Sequence, residues 1–228
     1  MEKTAILLVC CSLFLVSCAS KLTPDQVAQL SSIKVAIPEY GENAYVKPIG
    51  SNDTNGAGAA MGAGGGFIGG MLAQLVVEGV AAGQRSNFGK KYGSAAEKAQ
   101  SSVPANLLTT LKETSTRAVS AVPQLKGKVR KSSQNVLKTT ITSYGYKRNG
   151  HVGSQVLMTP FVNGEVSLSL NGEEIVKPFD VSAQTYPDNT GGHEITKYVS
   201  DRSLAKKDFA GACEQFAQIV GARLSSKF

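Results

Sequence analysis

The apolar positions change period several times along the chain, and each change predicts an element. After a continuous apolar run from Ala5 to Phe14, Thr23-Pro24-Asp25-Gln26 reads as a helix start. It has threonine at the cap, proline at the first helical position and glutamine three residues after the cap. Ile33, Val35 and Ile37 then alternate with Ser32, Lys34 and Ala36, the period of a strand with one buried face, and Pro38 limits its extension. Ser102 and Pro104 announce a helix whose Leu107, Leu108, Leu111, Ala118 and Val122 share a face, and Pro123 stops it. From Val136 to Gln184 the period returns to two. Strands are predicted at Val136–Tyr146, Gln155–Val162, Glu165–Leu170 and Glu174–Gln184, with turn residues over Lys147–Ser154. Asn163-Gly164 and Asn171-Gly172 separate the last three strands and read as hairpin turns, because both central residues of such turns need positive φ. Tyr186–Gly192 reads as loop, and a last helix from near Ser203 carries Phe209, Cys213, Phe216, Val220 and Leu224 along one side.

This order predicts an α+β fold: an antiparallel sheet of about four to five strands with two main helices packed on one face. Residues 33–228 form a single domain in this reading, with 41–100 a loop and glycine-rich insertion after the first strand. Within the insertion, Gln84–Gln100 reads as a basic and polar connector. Gly56–Val77 contains no charge, and Gly58, Gly62, Gly66 and Gly70 recur at every fourth position. On a helix those glycines form a bare, gently drifting stripe against which another backbone packs closely, a glycine-zipper-like pattern. Glycine is roughly 1 kcal/mol worse than alanine in a helix interior, so such a helix needs a partner or a bilayer. Three readings stay open: a flexible surface excursion, a membrane-embedded or self-associating segment, and a helix packed on its own domain. Gly64, Gly66 and Gly69 satisfy G-x-G-x-x-G, but no strand leads into them, and a stretch so rich in glycine produces the match by chance. No nucleotide site is assigned.

The start of the chain determines where the rest works. A charged N-terminus with Lys3, an apolar run and a small residue before a cut are the parts of a secretory signal. The run is well short of the roughly 20 residues that span a bilayer. Leu15, Val16, Ser17 and Cys18 resemble the lipobox of bacterial lipoproteins. The resemblance implies removal of residues 1–17, a diacylglycerol on the Cys18 sulfur and an acyl chain on the new amino terminus. Ala19, in place of the aspartate that favours inner-membrane retention, implies sorting to the outer membrane, with the polypeptide on the periplasmic side. Residues 18–32 would then be a tether, reaching up to about 45–50 Å if extended. This filter also places the glycine segment in a compartment bounded by membranes.

Composition narrows the partners. The net charge of +7 survives processing, since Glu2 and Lys3 leave together. Behind a lipobox the polyanions within reach are lipid head groups, lipopolysaccharide phosphates and cell-wall carboxylates, so nucleic acid is not expected. Lys126, Lys128, Arg130 and Lys131 are the densest basic cluster, either a solvated loop or an anion-contacting one. Of the four cysteines, Cys10 and Cys11 leave with the signal and Cys18 carries lipid; Cys213 is left without a disulfide partner, on an apolar helix face.

The sequence offers no catalytic constellation. His151 and His193 fall in predicted loops, and His193 has only the adjacent Glu194 beside it, a poor pair for chelating one ion. No nucleophile elbow marks a serine, and Glu173-Glu174 alternate sides of a strand. The layout loosely resembles small accessory domains of outer-membrane lipoproteins in secretion, curli-assembly and transport systems. Three functions are therefore expected in descending order. The first is a non-enzymatic interaction or assembly module, needing no cofactor beyond the lipid on Cys18 and binding an envelope protein or itself. The second is a pore-forming oligomer acting through residues 56–77, and the third an enzyme acting on envelope polymers.

Overall fold

A computed structural model describes residues 21–48, 82–185 and 191–228. Cys18, the signal segment and the stripe of Gly58, Gly62, Gly66 and Gly70 lie outside the described residues. Helix α1 (Pro24–Gln29) starts as its sequence predicts: the Thr23 hydroxyl accepts from the Gln26 backbone N–H at 3.2 Å, and the Gln26 side chain accepts from the Thr23 N–H at 2.9 Å. Short strands β1 (Lys34–Val35), β2 (Glu39–Tyr40) and β3 (Tyr45–Val46) follow. Next come α2 (Ala82–Lys98), a 3₁₀ turn (Ala99–Ser102), α3 (Leu107–Ala121), a second 3₁₀ turn (Pro123–Leu125) and the long strands β4 (Val136–Val152), β5 (Gln155–Leu170) and β6 (Glu173–Gln184). Helices α4 (Ile195–Ser200) and α5 (Arg202–Ser225) complete the chain.

The sheet order is β1-β4-β5-β6, with β2 and β3 also on β4. β4–β5 and β5–β6 are antiparallel, whereas β1, β2 and β3 run parallel to β4, one after another along its length. The first strand is therefore a broken edge. Ile33 and Val35 are buried as expected, but Ile37 is 65% exposed, because Pro38 and the gap between β1 and β2 turn that residue off the sheet.

The two Asn-Gly pairs part company. Asn171 and Gly172 have φ of 52° and 91° and form the two-residue β5–β6 turn. Asn163-Gly164 makes no turn, contrary to the sequence reading; β5 passes straight through it, pairing Gly164 with Ile141 on one side and Val181 on the other. Glycine is needed there for space. A Cβ on Gly164 would lie 2.7 Å from the Thr140 carbonyl oxygen and 3.4 Å from the Phe216 ring. The neighbouring register shift between Ile141 and Ser143 leaves Thr142 as an exposed bulge residue, and Asn163 Nδ2 donates to Ser143 Oγ at 3.0 Å.

Helices α3 and α5 pack as the main helices. Phe209, Cys213, Phe216, Val220 and Leu224 are all buried, as are Leu107, Leu111 and Val119. The two helices lie parallel: Phe209 and Ala210 flank Leu107, and Gly221 sits against Ala118. The expected connector over 84–100 is instead largely α2, and Tyr92, Ala95, Ala96 and Ala99 join the core. Its apolar face is made of small alanines and one tyrosine among lysines, too weak a stripe to stand out in the sequence.

Gly164→Ala should lower the unfolding free energy by about 1–3 kcal/mol through overpacking, whereas Thr142→Val at the exposed bulge should change it by less than about 0.5 kcal/mol. Urea titrations of the two variants check this. Equal stabilities would mean that α5 does not depend on a bare backbone at residue 164.

Candidate interaction surface

The candidate surface is the end of the domain where the chain enters. β4 begins there, β5 and β6 meet there in the Asn171-Gly172 turn, and the C-termini of α3 and α5 point to it. The segment expected as a free tether is docked from Leu22 onward. Leu22 and Leu30 are buried, and the Leu22 N–H donates to the Lys227 carbonyl at 2.8 Å, just past the end of α5. The Ile33 N–H donates to the Lys128 carbonyl at 3.0 Å, and the Arg130 N–H to the Ile33 carbonyl at 2.9 Å. Asn135 fixes the corner: its Nδ2 donates to the Ser32 carbonyl at 2.9 Å and its Oδ1 accepts from the Asn171 N–H at 3.0 Å. The described part of this segment, Leu22 to Ile33, is therefore docked and partly helical, not extended. Three residues, Ala19, Ser20 and Lys21, separate Cys18 from Leu22, a chain length of at most about 14 Å between the two Cα atoms.

The basic cluster stands on this end as a unit. Lys126, Arg130 and Lys131 are exposed and Lys128 is half-buried, while Leu125 and Val129 turn inward against the core. Arg130 Nη1 donates to the Val129 carbonyl at 3.0 Å. Ion pairs elsewhere join Lys138 to Glu39, Arg117 to Glu214 and Lys91 to Glu194, and none of them engages the cluster. The lysines also stand near helix C-termini, where cations complement the dipole.

The opposite end is tied by polar contacts that the sequence did not reveal. The Tyr92 hydroxyl donates to Glu194 Oε1, Lys91 Nζ reaches the same oxygen at 3.4 Å and the Ser154 carbonyl at 3.4 Å, and the Val156 N–H donates to the Tyr92 hydroxyl at 3.4 Å. α2 and the start of α4 are thereby clamped to the β4–β5 turn. Lys91 is shifted up in pKa, first by its contact with Tyr92 and also by Glu194. Deeper, Tyr198 donates to the Asp208 carboxyl at 2.8 Å, and Tyr146 shares a hydrogen bond of 2.7 Å with Ser102. The Tyr146 ring meets Tyr198 in a tilted contact at 4.8 Å and Phe209 edge-on at 5.3 Å. Burial pushes both tyrosines upward, with Asp208 adding to the shift at Tyr198. These are structural phenols.

The remaining candidates are dispersed. His193 is not in a free loop: it exchanges both backbone hydrogen bonds with Met158 and sets its ring 5.7 Å from Tyr198. His151 lies on β4 opposite Val156. Among the described residues no three His, Cys, Asp or Glu side chains gather as a metal site. Cys213 is fully buried, and burial first, then Glu214, pushes its thiol up to about 12. An open hollow of about 400 Å³ beside α3 is lined by Thr109, Lys112, Glu113, Thr116 and Arg117, and a smaller one of about 30 Å³ lies between α3 and α5. His193, Asp208 and Cys213 line neither. The edge strand β6 carries Glu173, Glu174, Lys177, Pro178 and Asp180, with an irregularity at Lys177-Pro178, features that blunt strand-to-strand pairing. No helix among the described residues is long and apolar enough to cross a membrane.

No family model and no curated protein sequence matches the chain. A solved structure of a minor lipoprotein from Acinetobacter baumannii is similar over 54% of this chain and 87% of its own, at 13% identity and a TM-score of 0.35. At that score the likeness carries no weight for fold or function.

Two outcomes are expected. In a chain lacking residues 1–17 and carrying Cys18→Ser, Cys213 is the sole thiol, and a disulfide reagent at pH 8 should label it only after denaturant is added, since the protonated thiol is a poor nucleophile. Rapid labelling of the native protein would contradict the burial of Cys213. Tyr198→Phe, which leaves the buried Asp208 carboxyl without its donor, should cost about 1–3 kcal/mol in denaturant unfolding.

Proposed function

We propose that this chain is a lipid-anchored envelope protein, processed before Cys18, whose α+β domain serves as a non-enzymatic interaction or assembly module on the periplasmic face of the outer membrane. The observation that carries the reading is the continuity between lipobox and domain: Leu22, four residues after Cys18, is already hydrogen-bonded to Lys227 and buried. A domain seated directly behind a lipidation motif needs no spanning helix to be held at a membrane. The lipid supplies localisation, and folded surface supplies recognition. Two acyl signals on one residue make such an anchor stable, where a single chain would bind only marginally.

The module's partner is an envelope protein or a second copy of the chain. The surfaces available for it are the outward face of α3, with Lys112, Glu113 and Arg117, and the exposed Ile37 and Tyr40 beside the β1–β2 break. Tyr40 stacks on Tyr144 at 4.8 Å, and Tyr45 meets Tyr144 edge-on at 5.6 Å, so the break presents a fixed aromatic rim. Burial, reinforced by Tyr144, pushes the Tyr40 phenol up to about 12, so it remains a neutral hydrogen-bond donor at physiological pH.

Mass spectrometry of the mature protein should find residues 1–17 removed and acyl chains on Cys18, and Cys18→Ser should release the domain from the membrane fraction. An unmodified Cys18 or a retained signal would sink the reading. Affinity purification of the lipidated protein from gently solubilised envelopes, alongside Ile37→Asp with Tyr40→Ser, should report a partner lost on substitution.

A further inference from the structure

We infer that the chain-entry end of the domain, centred on Lys126, Lys128, Arg130 and Lys131, is a docking surface for the anionic phospholipid headgroups of the leaflet that holds Cys18. This rests on the lipid-anchored reading above and deepens it: the anchor fixes where the domain is, and the basic end fixes how it stands.

Three observations combine. First, the cluster is pinned to the point where the chain arrives from the lipid, through the parallel bridge of Ile33 with Val129 and the bonds from Ile33 to Lys128 and Arg130. Second, Leu22 follows Cys18 by four residues, a chain length of at most about 14 Å, so the chain-entry end is held close to the surface that carries the lipid. Third, among the described residues no ion pair engages these cations: Asp25, Glu173 and Glu174, on the elements that meet at this end, form none with the cluster. Lys227, whose carbonyl holds Leu22, adds another cation at the chain entry. Complementing the helix dipoles explains charges close to the ends of α3 and α5; Arg130 and Lys131 lie beyond the second 3₁₀ turn, outside that range.

The test uses the processed, lipidated full-length protein reconstituted into vesicles of phosphatidylcholine, or of phosphatidylcholine mixed with phosphatidylglycerol. A fluorophore on Ser132→Cys, an exposed position beside the cluster, reports proximity through a quencher on lipid headgroups. Quenching should be strong on the anionic vesicles, weak on the neutral ones and reversed by salt. Changing Lys126, Lys128, Arg130 and Lys131 together to Gln should lower occupancy of the docked state at least about tenfold, since each basic residue near such a surface contributes roughly a fivefold factor. Changing the three lysines to Arg should preserve docking, which separates charge from any effect on folding. Equal quenching on both vesicles and in the Gln variant, or none on either, would overturn the proposal while leaving the anchor intact. Protein that fails to stay on vesicles because Cys18 is unacylated would overturn the anchor and this inference with it.

Discussion

The close seating of α5 on β5 governs the rest of the fold. Phe216 meets the sheet where Gly164 offers bare backbone, and that contact sets the depth at which Phe209, Cys213, Val220 and Leu224 are buried. A large apolar side chain contributes about 1.5–3 kcal/mol when fully buried, so this one stripe is a major share of the folding free energy. Its position dictates the others. α3 lies parallel to α5 with Ala118 against Gly221, and the register shift at Thr142 sits next to the Gly164 contact on β4.

Parallel main helices have a topological consequence. Both end at the side where β4 starts, so the loops after α3 and α5 are neighbours of the incoming chain. Three segments far apart in sequence converge there: the run around Ser32, the basic loop through Asn135, and the β5–β6 turn. Hydrogen bonds from Ser133 to Ser32, 101 positions away, and from the Asn171 backbone to Asn135 hold the corner closed. The opposite end is closed by different chemistry: Tyr92 donates to Glu194, Tyr198 donates to Asp208, and Tyr146 shares a hydrogen bond with Ser102. Each end thus has its own polar lock, and the apolar core between them needs no disulfide.

Much of the fold was legible because its signals are local. The capping pair Thr23 and Gln26, the five-residue stripe of α5 and the positive φ required at Asn171-Gly172 are all decided within a few residues. What misled was also local in form and tertiary in cause. Asn163-Gly164 has the same letters as the true turn, yet its glycine answers to Phe216, more than fifty residues later in the chain. α2 stayed hidden because alanines at 95 and 96 gain their value only from the core against which α4 holds them. The basic cluster could be read as charged residues in a loop. Its place beside the chain entry could not, since a parallel bridge between Ile33 and Val129 leaves no periodic trace.

The sequence of β1, β2 and β3 along β4 has a mechanical meaning. A domain fastened by its N-terminal side and pulled from its far end bears tension along its first strands. Because those strands run parallel to β4, the load falls across their hydrogen bonds in shear, and the bonds must yield together instead of unzipping singly. In a domain fastened in that way, the parallel broken edge would be the seam that bears the force.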